Sequence, residues 1–246
     1  MSFPRRLWLG FAYYFSWLLF GLCGLLLALA CTPFLFVPQR ERFGPAARCA
    51  MRVLLDFWLW WLRISGVVKI SWLGFERPLP RGVVFAANHP SLVDAPFLLS
   101  RLPDTICIFK PALLRNPCIA PFAILSGYVP GDSGVGVIRL ATARVTAGRS
   151  LLIFPEGTRT KAGSVLNPCK AGVALIARRA GAPVQLIHIR SGPLMGRKAH
   201  PWWKVPPLPG WWEFTLGELI PSDAAPTNLA SIALLETRLR THAEIG

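Results

Sequence analysis

From Leu7 to Phe36 the chain reads LWLGFAYYFSWLLFGLCGLLLALACTPFLF, without one charged residue. A helix needs about 20 apolar residues to cross a bilayer, so this run must enter lipid or be covered by the rest of the chain. A secretory signal has a shorter apolar core and a small-residue cleavage site; this run is too long and too aromatic for one. Leu-Ala-Leu-Ala-Cys31 hints at lipoprotein processing, but Ala28 and Leu29 stand in the wrong order for it. Arg5 and Arg6 precede the run, and Arg40, Arg42, Arg48 and Arg52 follow it. If the helix spans once, the heavier basic flank predicts that the rest of the chain faces the cytoplasm, as at a bacterial-type inner membrane. A hairpin broken near Gly21, Gly24 or Pro33 instead puts both flanks on one face. Met51 to Ile64, rich in Trp, is too short to span and suits either an interfacial helix or an ordinary buried one.

Composition points the same way. The chain has 246 residues, 53% of them hydrophobic, and a formal net charge of +15; its mean hydropathy is +0.44. A basic, apolar chain suits an anionic membrane surface. Ten Trp favour that partner, since Trp prefers the headgroup boundary. With no Lys/Arg-rich tail and no nucleic-acid module, nucleic acid is not expected as a partner. The six Cys are scattered, without Cys-x-x-Cys or zinc spacing, and read as reduced thiols packed as small hydrophobes. Neither a metal site nor a bound cofactor is expected.

After Gly66 the pattern changes to short β-type runs between Gly and Pro. Strands are predicted at 67–72, 82–87, 105–109, 150–154, 184–189 and 213–220, with helices at 92–101, 117–125, 135–147, 172–180 and 228–244. Strands alternating with helices predict an α/β domain over 66–246, a mixed, largely parallel sheet flanked by helices, behind a membrane anchor and interfacial helix over 1–65. The stretch PWWKVPPLPGWW (201–212) is too rich in Pro for a regular helix and reads as a rigid loop or a lipid-touching patch. Gly131 to Gly136 has the wrong Gly spacing for a nucleotide loop and reads as a flexible one.

Directly after the buried run GVVFAA comes Asn88-His89-Pro90-Ser91-Leu92-Val93-Asp94. In the plain reading, Ser91 caps the following helix and Asp94 completes a capping box with Asp in place of Glu. In the chemical reading, the Asp94 carboxylate fixes the His89 tautomer, leaving the other ring nitrogen to take a proton from an alcohol. That is the base and orienter of a serine-protease-like triad without an enzyme nucleophile. Ser91 could serve as that nucleophile, but its place at a helix start favours capping, hence direct attack by a substrate hydroxyl. Phe154-Pro155-Glu156-Gly157-Thr158-Arg159-Thr160 follows a second buried run, and a strand entering a turn with Gly, Thr and Arg is suited to hold an anion.

The two stretches together, in this order, resemble the glycerophospholipid acyltransferase family, typified by 1-acylglycerol-3-phosphate O-acyltransferase, over roughly residues 66–220. Lys110-Pro-Ala-Leu113 resembles its Lys-x-x-Leu element and Lys170-Ala-Gly172 its Lys-x-Gly. The resemblance implies phospholipid biosynthesis at a membrane, with an acyl thioester of CoA or acyl-carrier protein as donor and a lysolipid hydroxyl as acceptor. It implies His89 as general base and Asp94 as its partner. It implies Glu156, Gly157 and Arg159 in acceptor binding, with Lys110 nearby; Asn88, Ser91, Pro155, Thr158 and Lys170 complete the expected site. Two departures stand out. Gly127-Tyr-Val-Pro-Gly-Asp132-Ser133 has Ser where the family often has Arg, and Ala182-Pro183-Val184-Gln185-Leu186-Ile187 has lost a Pro. The first opens a non-glycerophosphate acceptor, such as an amino-acid lipid. A non-catalytic lipid-binding protein on the same fold is the remaining alternative, disfavoured by the intact His89 and Asp94.

Overall fold

The computed structural model describes residues 2–131, 134–161, 164–192 and 203–244. Two helices open the chain, α1 (Phe3–Cys31) and α2 (Gly44–Ile64). Then follow β1 (Val68–Leu73), β2 (Val84–Ala87), α3 (Asp94–Arg101), β3 (Thr105–Phe109), α4 (Ala120–Leu125) and β4 (Val129–Pro130). The rest is α5 (Val135–Thr146), β5 (Ser150–Ile153), α6 (Gly172–Ala180), β6 (Val184–Gly192), β7 (Gly210–Ile220) and α7 (Asn228–Glu244).

The seven strands form one sheet in the order β1-β7-β6-β2-β5-β3-β4. β6, β2, β5, β3 and β4 run parallel, β7 is antiparallel to β6, and β1 is parallel to β7. The mixed, largely parallel sheet is therefore present. β2 shows why its sequence is apolar throughout: all four residues are buried. Phe85 and Ala87 face the layer of α1, α2 and α3, whereas Val84 and Ala86 face α5, α6 and α7, as the two-residue period of a strand requires.

The apolar N-terminus is a helical hairpin. α1 runs unbroken through Gly21 and Gly24, and the chain reverses in the 3-10 turns that start with Thr32-Pro33. Indole N–H groups join the two helices: Trp8 donates to the Ser65 carbonyl (2.9 Å), Trp61 to that of Ala12 (3.4 Å) and Trp58 to that of Ser16 (2.8 Å). The pairs step in opposite directions along the two helices, so both flanks of the hairpin lie at the same end. α2 begins at Gly44 rather than at Met51. Arg48 and Arg52, read from sequence as flanking charge, instead join α2 to the sheet domain. Arg48 is buried and bonds Asp104 (2.6 Å) and the Ser126 carbonyl (2.6 Å), and Arg52 donates to the Ser100 carbonyl.

Among the described residues, one helix, extending to Phe36, is long and apolar enough to cross a membrane. Leu7, Phe11, Tyr14, Leu18, Leu22, Leu25 and Leu29 of α1 remain exposed. So do Val53, Phe57, Trp60 and Ile64 of α2. Both sets recur every three or four residues, so each is one stripe of its helix.

The segment read as irregular over 201–212 departs from expectation at its end, since β7 already includes Gly210, Trp211 and Trp212. The reason is pairing on both sides: Trp212 stands opposite Ile70 of β1 and Ser191 of β6. Residues 201 and 202 lie outside the described residues, as do Asp132 and Ser133 of the loop read as flexible. Next to them, Val129 and Pro130 add a short edge strand that the sequence reading missed.

Candidate active site

β2, β5 and β3 are parallel neighbours, so their carboxyl ends open on one edge of the sheet. His89 and Asp94 follow β2, Phe154 to Thr160 follow β5, and Lys110 follows β3. Such an edge is the usual ligand-binding side of an α/β sheet.

Asn88 is buried and extends the strand ladder by one rung through its side chain. Its Nδ2 donates to the Ile189 carbonyl (2.8 Å), and its Oδ1 accepts from the Ile189 N–H (2.7 Å). That fixes where β2 ends and so where His89 begins. The His89 Nδ1 lies 2.9 Å from the Asp94 Oδ2. The ring stacks on Phe154, with centroids 3.9 Å apart and planes 18° apart. An imidazole held by its Nδ1 edge and one face turns Nε2 away from Asp94, as a nitrogen that could take a proton.

Asp94 is fully buried. Besides His89, its Oδ2 accepts the Ser91 N–H (2.6 Å) and its Oδ1 the Ser91 hydroxyl (2.5 Å) and the Trp212 indole N–H (3.3 Å). A carboxylate held by donors on both oxygens keeps its direction. The expected capping box is half present: the Asp94 carboxylate accepts the Ser91 N–H, but the Ser91 hydroxyl donates to Asp94 rather than accepting from the helix, and α3 starts at Asp94 with Val93 as its N-cap and no side-chain cap bond. With no exposed surface and its hydrogen engaged, Ser91 is not an accessible nucleophile.

Glu156 is buried and joins the two motifs. Its Oε1 accepts the His89 N–H (2.8 Å) and the Thr160 hydroxyl (2.9 Å), and its Oε2 accepts the Asn167 N–H (2.9 Å). The Thr160 N–H returns to the His89 carbonyl (2.7 Å). Glu156 thus holds the loop onto the His89 backbone from within the wall. Pro155 is buried and its carbonyl takes the Lys170 N–H (2.8 Å). Gly157 has φ of +66°, and a Cβ there would stand 2.8 Å from the Lys170 Nζ, so the lysine lies against the bare backbone. Thr158 and Arg159 are half-buried, and Lys110 and Lys170 are exposed. The neighbouring Cys169 thiol is pushed up to about 12, first by burial and then by the Glu236 and Glu156 carboxylates, which leaves it protonated and a poor nucleophile.

Sequence reading missed two members of this assembly and the part played by a third. Trp212 arrives from a strand 118 residues after Asp94. Phe154 was placed at the head of the anion-holding stretch, without its stacking on the His89 ring. Asn167 bonds Glu156, the Lys161 N–H and the Arg159 carbonyl, and nothing in its neighbourhood in the sequence marks it.

Residues 75–190 match the family model described as Acyltransferase. Over these residues the chain carries a domain of the acyltransferase family. Over 179 residues it is 32% identical to the lyso-ornithine lipid O-acyltransferase of Pseudomonas aeruginosa, a match covering 70% of this chain and 65% of that protein. It is also 32% identical over 108 residues to the 1-acyl-sn-glycerol-3-phosphate acyltransferase of Cocos nucifera, covering 41% of this chain and 35% of that one. These alignments span between about a third and two thirds of the relatives' own lengths. In fold, the acyltransferase domain and its helical hairpin match the crystal structure of the 1-acyl-sn-glycerophosphate (LPA) acyltransferase from Thermotoga maritima. The TM-score is 0.77 at 21% identity, over 100% of this chain and 97% of that one.

Proposed function

We propose that this protein transfers a fatty acyl chain from a thioester, of CoA or acyl-carrier protein, to the hydroxyl of a lysolipid of the lysophosphatidic acid type. The observation that carries the reading is the His89–Asp94 pair, turned by a buried, donor-saturated carboxylate so that Nε2 is the free base. His89 Nε2 removes the acceptor's hydroxyl proton while that oxygen attacks the thioester carbonyl. The tetrahedral intermediate then collapses, the new ester forms, and the expelled thiolate takes the proton back from His89. Asp94 stabilises the imidazolium that forms in between. Gly157, Thr158 and Arg159, with Lys110 and Lys170, offer backbone donors and cations for an anionic headgroup. The exposed stripes of α1 and α2 suit burial in lipid, with the catalytic edge served from the cytoplasmic side.

The deciding experiment is acyl transfer by the purified full chain in mixed micelles. Wild type should form diacyl product and release thiol, and His89→Ala should do neither while retaining its fold and lipid association. Retention of most activity by His89→Ala would defeat the mechanism. A second reading, the same chemistry on an amino-acid lipid, is favoured by the likeness to a lyso-ornithine lipid enzyme and by Ser133 where Arg is common in the family. Offering lysophosphatidic acid and lyso-ornithine lipid to the same preparation separates the two readings.

A further inference from the structure

At the amino-terminal edge of the sheet, opposite His89, three guanidinium groups converge. Arg149 directly precedes β5, whose other end leads to Phe154 beneath His89. Its Nη1 would stand 2.8 Å from a Cβ on Gly127 and 3.9 Å from one on Gly44. Arg144 would lie 3.8 Å from the Gly127 Cβ, and Arg48 3.1 Å from that of Gly44. Both glycines therefore keep open the space that the cations occupy.

The charges do not balance. Arg48 is taken by Asp104 and the Ser126 carbonyl, and Arg144 pairs with exposed Glu41 at 3.2 Å. Arg149, half-buried, has no side-chain hydrogen bond or ion pair among the described residues. Burial, then Arg48 and Arg144, push its guanidinium below the ordinary value against the weaker pull of Glu41 and Asp104. Two further features want an acceptor. The Ser126 hydroxyl is buried without a hydrogen-bond partner among the described residues. α2 starts here with no side-chain cap and no acidic residue in its first turn; the Gly44 N–H donates to the Glu41 carbonyl, and the positive end of the 21-residue helix adds to the cations beside it.

We propose that Arg149, Arg144 and the start of α2 form a binding site for a phosphate oxyanion, separate from the catalytic edge. A planar guanidinium fork matches phosphate in two-point contact. The hairpin turn beside it exposes Phe34 and Phe36, which places a lipid headgroup phosphate within reach as well as free phosphate. A ligand there would bridge the hairpin (Gly44) and the sheet domain (Gly127, Arg149), and so stabilise their docking. This inference does not depend on the acyl-transfer reading.

The test is thermal unfolding of the full chain in neutral detergent at fixed ionic strength. Inorganic phosphate is titrated against chloride, and separately the micelles are doped with phosphatidylglycerol or phosphatidylcholine. Tm should rise saturably with phosphatidylglycerol, and with phosphate if the free oxyanion suffices, but not with chloride or phosphatidylcholine. Arg149→Gln should weaken the response about tenfold or more, and Arg179→Gln, an exposed change of equal charge on α6, should leave it intact. Arg149→Gln removes an uncompensated charge, so its unliganded Tm should not fall. Arg144→Gln, which breaks only an exposed pair, is the second variant should the first misfold. No response in wild type, or an undiminished one in the folded arginine variants, would overturn the proposal.

Discussion

Asp94→Asn tests the base–carboxylate pair with the least change of shape. The ring nitrogen and the carboxylate oxygen are 2.9 Å apart, which puts the centres of charge roughly 4 Å apart once the imidazolium forms. At an effective dielectric of about 20 that attraction is about 4 kcal/mol. At 1.4 kcal/mol per factor of ten, its loss lowers the rate about a thousandfold. The amide also fits poorly. With its NH2 in place of Oδ2 it meets the Ser91 N–H and forces His89 to carry its proton on Nε2, which removes the base. With its NH2 in place of Oδ1 it meets the Trp212 N–H instead. Either clash costs about 1–3 kcal/mol of stability, so the variant should fold with a lowered Tm. The assay is thiol release with saturating acyl thioester and acceptor, resolved into kcat and KM. The loss should fall on kcat, because the imidazolium exists only after proton transfer. If Asp94→Asn folded and kept its kcat within about tenfold of wild type, Asp94 would not be the charge partner of the base.

Ser91→Ala removes one donor from Asp94 but no accessible nucleophile, so kcat should fall far less than in His89→Ala; equal inactivation would point to an acyl-serine instead. Trp212→Phe keeps the ring against Phe97 and loses only a long N–H bond. It should cost about 0.5–1.5 kcal/mol and lower kcat severalfold with KM unchanged, read by unfolding and steady-state kinetics. Gly157→Ala meets both a left-handed backbone and the Lys170 side chain, so the acceptor KM should rise and stability fall by about 1–2 kcal/mol. The Cys107 thiol is pushed up to about 12 by burial and Cys169 likewise. Because only the thiolate reacts, iodoacetamide at pH 8 should label exposed Cys49 and spare both. Labelling of the two should appear only as the pH climbs toward 12 or the chain unfolds, which mass spectrometry of the labelled peptides reads directly.

The parts of this fold legible in the sequence are those whose signal is local. β2 is four buried residues in a row, and a strand covered on both faces must be apolar throughout. His89 and Asp94 are five residues apart, within reach of one turn. The boundaries that moved did so through partners distant in the chain. Trp211 and Trp212 lie in a stretch whose prolines argue against regular structure, yet β1 and β6 supply hydrogen bonds on both sides, and tertiary pairing overrides local propensity. Arg48 looks like one more basic residue beside an apolar helix until Asp104, 56 residues on, takes it into the interior.

The tryptophans show most clearly what composition conceals. Read as a set, they indicate a lipid boundary, and Trp60, half exposed on the α2 stripe, fits that role. Trp58, almost wholly buried, does not; its indole donates to the Ser16 carbonyl inside the hairpin. Trp212 is as deeply buried and donates to the Asp94 carboxylate. The property that suits Trp to a membrane boundary, a broad apolar ring with one N–H to satisfy, also suits it to fill a core beside a lone acceptor. Only the fold decides which use a given Trp serves. Trp58 also packs against Phe97 at 5.7 Å between centroids, and Phe97 against Trp212 at 5.4 Å. One continuous line of rings thus runs from the helical hairpin to the carboxylate behind His89, so the apolar hairpin and the His89–Asp94 pair share a single core rather than meeting across a linker.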